Sequence, residues 1–228
     1  MGPTVLLFDI DGTLLLTGGA GRRSFEHAFQ EVCGRGDACA HFSFAGMTDQ
    51  AIAREGLRQA GLEVTPERIA QLIDAYLARL ASEVAASETY AIMPGVERAL
   101  AAVATERDVA IGLGTGNVKR GAFVKLARGG LDGHFGFGGF GCDAEDRAEL
   151  LLRGAERGAA QLRAPLAACR VVVIGDTVRD VAAARAIGAT CIGVGTGGVA
   201  PAVLREAGAR YAFDTLESDD AIGALLAD

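Results

Sequence analysis

The chain opens with a continuous apolar run, Val5-Leu6-Leu7-Phe8, that stops abruptly at Asp9-Ile10-Asp11-Gly12-Thr13-Leu14. A short run that is apolar throughout and ends in turn residues predicts a strand buried on both faces, as in a parallel sheet. After a glycine-rich hinge at Thr17-Gly18-Gly19-Ala20-Gly21 the period changes. From Arg22 to about Glu88 the hydrophobic positions recur at helical spacing. Ser24, Phe25, Ala28, Phe29 and Val32 form one stripe, and Ile52, Leu57 and Ala60 a weaker one opened by the cap signal Thr48-Asp49. Thr65-Pro66-Glu67 opens a third helix carrying Ile69, Leu72, Ile73, Tyr76, Leu77 and Leu80 on one face. Such stripes are expected to pack as ordinary core.

Strand and helix alternate from Met93-Pro94-Gly95 onward. The pattern predicts helices over 96–104, 117–128, 144–162, 178–187 and 200–207. Strands are predicted over 108–114, 135–140, 170–175, 190–194 and 211–213. Alternation of this kind predicts an α/β fold, a doubly wound parallel sheet with helices on both faces. The expected organisation is a catalytic α/β core made of residues 1–16 and 90–228, interrupted by an all-helical cap over 17–89.

Composition narrows the classes of function. The chain has 228 residues, half of them hydrophobic, and a formal net charge of −7. No concentrated basic face is available for a nucleic-acid backbone, so no nucleic-acid partner is expected. No stretch is apolar and long enough to span a bilayer, which excludes a membrane-embedded role. Cysteines stand at 33, 39, 142, 169 and 191, without paired C-x-x-C spacing. They are expected to be reduced structural thiols, which together with the absence of a signal-like N-terminus suggests a cytoplasmic protein. Oligomeric state is not readable from the pattern.

In a doubly wound sheet, ligands bind beyond the carboxyl ends of the strands, so polar residues following strands carry the chemistry. The first strand delivers Asp9 and Asp11, two apart and on the same face if the strand continues. Two carboxylates ~4 Å apart repel by on the order of 4 kcal/mol at an effective dielectric of ~20, and such pairs ordinarily hold a cation or share a proton. The second strand ends in Thr115-Gly116-Asn117, a hydroxyl and small residues where free backbone N–H groups favour an anion. The clearest later strand ends in Gly175-Asp176-Thr177-Val178-Arg179-Asp180, with Asp180 one helical turn beyond Asp176.

Asp-x-Asp-Gly-Thr, the later Thr115, and Gly-Asp-Thr-x-x-Asp together resemble the haloacid dehalogenase-type hydrolases, and most nearly their phosphoglycolate-phosphatase-like members. The resemblance implies a magnesium-dependent phosphatase acting on a small-molecule phosphate monoester, with phosphoglycolate as one candidate. Asp9 would form an aspartyl-phosphate, and Asp11 would serve as acid and then base. Mg2+ would be held by Asp9, the Asp11 main-chain carbonyl and Asp176, with Asp180 behind them. Thr115, Gly116 and Asn117 would bind the phosphoryl group. The family's basic residue has no lysine in the usual place; Arg147, at the start of the predicted 144–162 helix, is expected to fill it. Lys125 lies too early in the chain for that place and its loss is expected to be nearly silent, but it stays the alternative to Arg147 for the basic position.

A sugar-phosphate mutase of the same family is the alternative, because it shares these carboxylates. Cap residues 16–90 hold no lysine for Schiff-base chemistry, and Asp11 is the carboxylate that dehalogenating members usually lack. Gly193-x-Gly195-x-x-Gly198 matches a dinucleotide fingerprint, yet it sits late in the chain before a short helix, so a glycine-rich loop near the active site is the better expectation. A catalytically silent binding module would be expected to lack a key carboxylate. Leaving-group contacts are expected from 18–23 and 44–49, with Arg22 or Arg23 as candidates for a substrate carboxylate.

Overall fold

The computed structural model describes residues 2–227. Its centre is β1 (Thr4–Phe8), every residue of which is buried. It pairs in parallel with β4 (Val109–Thr115) on one side and β6 (Arg170–Gly175) on the other. With β5 (Gly138–Phe140), β7 (Thr190–Val194) and β8 (Tyr211–Phe213) these make a six-stranded sheet of order β5-β4-β1-β6-β7-β8. The chain winds outward in both directions from β1, which puts the switch in strand order at the end of this strand.

Alternation along β1 builds the layers. Leu6 and Phe8 belong to one hydrophobic cluster, with α4 (Val96–Ala104), α5 (Lys119–Ala127) and α9 (Asp219–Leu226). Val5 and Leu7 belong to another, with α6 (Arg147–Gln161), α7 (Val178–Ala186) and α8 (Pro201–Ala207). Successive strand residues point to opposite faces, so a run without polar residues is what a covered sheet requires. Full burial of each such side chain is worth roughly 1.5–3 kcal/mol.

The helical stretch builds a third cluster from α1 (Ala20–Cys33), α2 (Asp49–Gln59) and α3 (Pro66–Ala86). The expected caps are present: Thr48 accepts from the Ala51 amide and Thr65 from the Arg68 amide. Cys39 is buried in this cluster. Two short strands escaped the sequence pattern. β2 (Leu15–Leu16) and β3 (Ala91–Ile92) pair antiparallel where the chain leaves and re-enters the sheet layer, tying together both ends of the helical segment.

Several boundaries shift for local reasons. α5 begins at Lys119 rather than 117, because Val118 is extended and its amide is held by Asp49. α6 begins at Arg147, with Asp146 as its cap, accepting from the Glu149 amide. β5 covers only the last three residues of the predicted 135–140 strand. α9 was not predicted, although Ser218 caps it and its apolar positions Ala221, Ala224 and Leu225 are spaced for a helix. No helix among the described residues is long and apolar enough to cross a membrane.

Candidate active site

Parallel register levels the strand ends. Phe8 stands opposite Leu113 of β4 and Ile174 of β6, so Asp9, Thr115 and Asp176 emerge from three adjacent strands at one edge. The turn after β1 depends on Gly12, whose φ of +85° favours glycine. A Cβ there would lie 2.5 Å from Asp176 Oδ2 and 2.9 Å from the Gly197 Cα. The glycine-rich 193–198 loop thus closes over this turn, and Thr196 Oγ1 donates to the Gly12 carbonyl.

Asp9 is 5% exposed and accepts an ion pair from Arg147, whose Nη2 is 2.9 Å from Asp9 Oδ2. The same Nη2 lies 2.5 Å from Asp180 Oδ1, and Arg147 Nε donates to that oxygen at 2.8 Å. Asp180 Oδ2 in turn accepts from the Thr177 amide and hydroxyl, completing a reciprocal cap on α7. Both Asp180 oxygens are therefore occupied by protein donors. Nη2 of Arg147, though at ion-pair distance from two carboxylates, makes no hydrogen bond of good geometry to either.

The electrostatics of this corner are tense. Burial, followed by the charges of Asp180 and Asp11, pushes Asp9 up to about 6 despite Arg147. Asp176 rises to about 8, by burial first and then by Asp9 and Asp180; Thr13 Oγ1 donates to it at 3.1 Å. Burial works against the charge on Arg147, but Asp180 and Asp9 more than offset it and hold its pKa above the usual range. Carboxylate oxygens of Asp9, Asp176 and Asp180 all lie within 4.8 Å of one another. The fit to a hard divalent cation is good: the donors are oxygens, and the two raised carboxyls are those a cation would stabilise as anions. With each Asp180 oxygen engaged by Arg147 or Thr177, Asp9 and Asp176 are the members of the group with an oxygen free of protein donors.

Asp11 occupies a different setting. Its side chain is 43% exposed, and the Lys125 ammonium sits 2.7 and 2.9 Å from its two oxygens. Asn117 Nδ2 donates to Asp11 Oδ2 at 2.8 Å and to Thr115 Oγ1 at 2.9 Å. Lys125, only 4% exposed, therefore lies in the site, contrary to its expected position outside it. The long side chain comes from the last turn of α5 and reaches an aspartate 114 residues away, a contact with no local signal in the sequence.

Helices α1–α3 close the other side. Gly116 meets the 47–48 turn so closely that a Cβ would be 2.3 Å from the Met47 carbonyl oxygen. The Asp49 amide donates to the Gly116 carbonyl, and Asp49 Oδ2 accepts from the Val118 amide at 2.8 Å. Arg54 pairs with Glu145 at 2.9 Å, and Arg179 donates to the Ala45 carbonyl. Between the two layers lies a cavity of about 420 Å3 lined by Asp9, Asp11, Thr115, Arg147 and Asp176, and by residues of both predicted leaving-group segments. Of the two arginines considered for a substrate carboxylate, Arg22 lines the cavity and Arg23 does not. Arg22 donates to the Cys39 and Phe42 carbonyls, and Arg23 to Glu83 and the Gly18 carbonyl.

A family model for the haloacid dehalogenase-like hydrolases matches residues 3–188, through the strand ends that carry these carboxylates. The chain belongs to this family. Its fold is shared by solved structures of low sequence identity. A hydrolase from Pseudomonas syringae is 21% identical, with a TM-score of 0.68 and 94% of each chain covered. CbbY from Rhodobacter sphaeroides, solved with phosphate, is 18% identical with a TM-score of 0.71, covering 98% of this chain and 100% of that one. A variant of CbbY, solved with xylulose-(1,5)bisphosphate, is 19% identical with a TM-score of 0.69 over 96% of each chain. No curated protein matches the chain.

Proposed function

We propose that this haloacid dehalogenase-like protein is a magnesium-dependent phosphatase, hydrolysing a small-molecule phosphate monoester through an aspartyl-phosphate on Asp9. The observation that carries the reading is the buried Asp9 carboxylate, ion-paired at 2.9 Å to Arg147 and grouped with Asp176 at the mouth of a cavity. Residues 17–89 act as the cap over that cavity, and 1–16 with 90–228 as the catalytic core.

Asp9, with its free oxygen, attacks phosphorus, and the ester oxygen leaves. Asp11 gives that oxygen its proton and later takes one from the attacking water, a dual role suited to its partly exposed carboxyl. Arg147 Nη2 has N–H capacity that its carboxylates do not use in good geometry, and it directs this to the phosphoryl oxygens. Thr115 Oγ1 accepts from Asn117, which turns its own hydrogen toward the phosphoryl group; the Gly116 and Asn117 loop completes the cradle. Magnesium would be held by the Asp9 and Asp176 carboxylates and the Asp11 main-chain carbonyl, and when bound it offsets the repulsion between carboxylate and phosphate. Asp180 fixes Arg147 from behind.

The same carboxylates would serve a sugar-phosphate mutase. A panel of phosphate monoesters with magnesium, including sugar monophosphates analysed for isomerised product, tests the reading. Release of inorganic phosphate, abolished by exhaustive chelation, is the expected outcome. Isomerised phosphate esters without net phosphate release would instead identify a mutase.

A further inference from the structure

Three buried polar side chains from three different helices meet in the lining of the same cavity. Tyr76 of α3 is fully buried, and its hydroxyl has no hydrogen-bond partner among the described residues. Its ring is fixed by stacking on Phe25, with centroids 4.2 Å apart and planes 16° from parallel. Tyr76 shares the lining of the cavity with Asp49 and Asp11, and burial, with the charges of those two carboxyls, raises its pKa well above the usual value. Asp49 of α2 spends one oxygen on the Val118 amide. Lys125 of α5 directs its ammonium to Asp11, next to the same space. All three line the cavity.

A buried hydroxyl without a partner is costly, and in native proteins it calls for an explanation. An unpartnered phenol and a carboxyl in the lining of one cavity offer a donor and an acceptor to whatever fills it. An alcohol group satisfies both at once, because it donates and accepts. A carboxylate or second phosphate fits less well: it would enter beside Asp49 and Asp11. Among the cations of the wall, Lys125 is paired with Asp11, Arg147 with Asp9 and Asp180 at the place assigned to the transferred phosphoryl group, and Arg22 donates to the Cys39 and Phe42 carbonyls.

We propose that Tyr76 and Asp49, with Lys125 beside them, form a hydroxyl-recognising subsite, and that the substrate is a phosphate monoester of a small uncharged polyol. This rests on the phosphatase reading and selects its leaving group. Tyr76 and Asp49 act on binding of that group and Asp9 on the chemistry, so the two can be tested apart.

The experiment compares glycerol phosphate, propyl phosphate, phosphoglycolate and p-nitrophenyl phosphate as substrates with magnesium, in the wild type and in Tyr76→Phe. The expected kcat/KM for glycerol phosphate exceeds those for propyl phosphate and phosphoglycolate by about tenfold or more, since a site built to hold a hydroxyl rejects the analogue lacking it. Tyr76→Phe is expected to lower the glycerol-to-propyl ratio about tenfold, chiefly through KM. A purely structural tyrosine would not move that ratio. The thermal midpoint of Tyr76→Phe is expected to be no lower than that of the wild type, because the lost hydroxyl had no partner. Should it fail to fold, Asp49→Asn reads the same ratio. Hydrolysis of p-nitrophenyl phosphate with equal use of propyl and glycerol phosphates, a preference for phosphoglycolate, or a ratio unmoved by the variants would overturn the subsite and spare the phosphatase. If no ester is hydrolysed, the phosphatase reading fails. The subsite is then judged by binding, as the thermal shift that glycerol phosphate gives beyond propyl phosphate, and equal shifts overturn it too.

Discussion

At the Asp9 end of the cavity nearly every charged group is held by another: Arg147 by Asp9 and Asp180, Asp180 by Thr177, Asp176 by Thr13. At the Tyr76 end a hydroxyl has no partner, Asp49 has one oxygen on a backbone amide, and the lysine reaches across to Asp11. The first set stands on strand ends and helix starts of the sheet layer; the second comes mainly from helices that pack over it. Geometry for bond-making has to be fixed before substrate arrives, and rigid elements with interlocked hydrogen bonds supply that. Polar groups left unpaired are what a ligand can complete. The contrast suggests a division of labour, with chemistry at one end and selection at the other, and each substitution below is a way to break it.

The largest effect is expected at Asp9. Asp9→Asn removes the attacking oxygen and keeps the shape, so steady-state turnover should vanish while the thermal midpoint stays close to that of the wild type. Phosphate release, with deamidation excluded by mass spectrometry, measures it. Substantial hydrolysis by Asp9→Asn would move the nucleophile elsewhere and dissolve the contrast.

Arg147→Ala comes next. It removes a cation that bridges Asp9 and Asp180, and losing one preorganised group of this kind commonly lowers the rate about 10²–10³-fold. kcat should fall more than KM rises, because the guanidinium faces charge that develops in the transition state. Arg147→Lys should recover only part, having a point charge in place of a planar fork. A variant that changed KM alone would show Arg147 to be a binding group instead.

Legibility divides along the same line. Strand ends were readable because an apolar run stopped by carboxylates is a local pattern: Asp9, Thr115 and Asp176 are brought to one edge by parallel register alone. Arg147 was readable only through the family resemblance, which calls for a basic residue near the start of the predicted 144–162 helix. Contacts made by long side chains between elements far apart in sequence left no local mark. Lys125 lies 114 residues from Asp11, and the Tyr76 ring looked like any other member of an amphipathic stripe. The antiparallel pair Leu15–Leu16 with Ala91–Ile92 is too short to show a period of two. Helix α9 did carry its signals, in Ser218 and the apolar positions after it, and could have been read.

Lys125 sharpens the comparison because it touches both ends. On sequence alone Lys125→Ala would be nearly silent, but with Nζ 2.7 Å from Asp11 it should not be. Removing the ammonium leaves Asp11 with the neutral Asn117 amide as its side-chain donor and frees its rotamer. kcat should fall on the order of tenfold, less than for Arg147→Ala, since Lys125 acts on the reaction through the position of Asp11. Parallel kinetics of the two alanine variants measure the difference. If Lys125→Ala were the more damaging, the lysine would be the principal cation of the chemistry, and the two ends would not be separate in function.

The last effect is on stability and leaves rate aside, and it concerns the carboxyl of Asp49. Burial pushes it up to about 7, against the opposing charge of Lys125, from 3.8 in an open chain. Between those values the folded protein holds a proton that the unfolded chain has released. Stability from this group is therefore greatest below about pH 4, falls as pH rises toward 7, and levels off above it. Asp9 and Asp176, raised to about 6 and about 8, act in the same direction in metal-free protein, so magnesium is kept present to offset them. Asn at position 49 keeps an oxygen for the Val118 amide and cannot ionise. Asp49→Asn should therefore lose less stability than the wild type between pH 4.5 and 7.5, with the gap between the two widening by on the order of 1–3 kcal/mol. Urea unfolding across that range measures it. Parallel curves would mean that Lys125 keeps Asp49 ionised throughout, and a fixed anion at the Tyr76 end would then exclude charged leaving groups even more strictly.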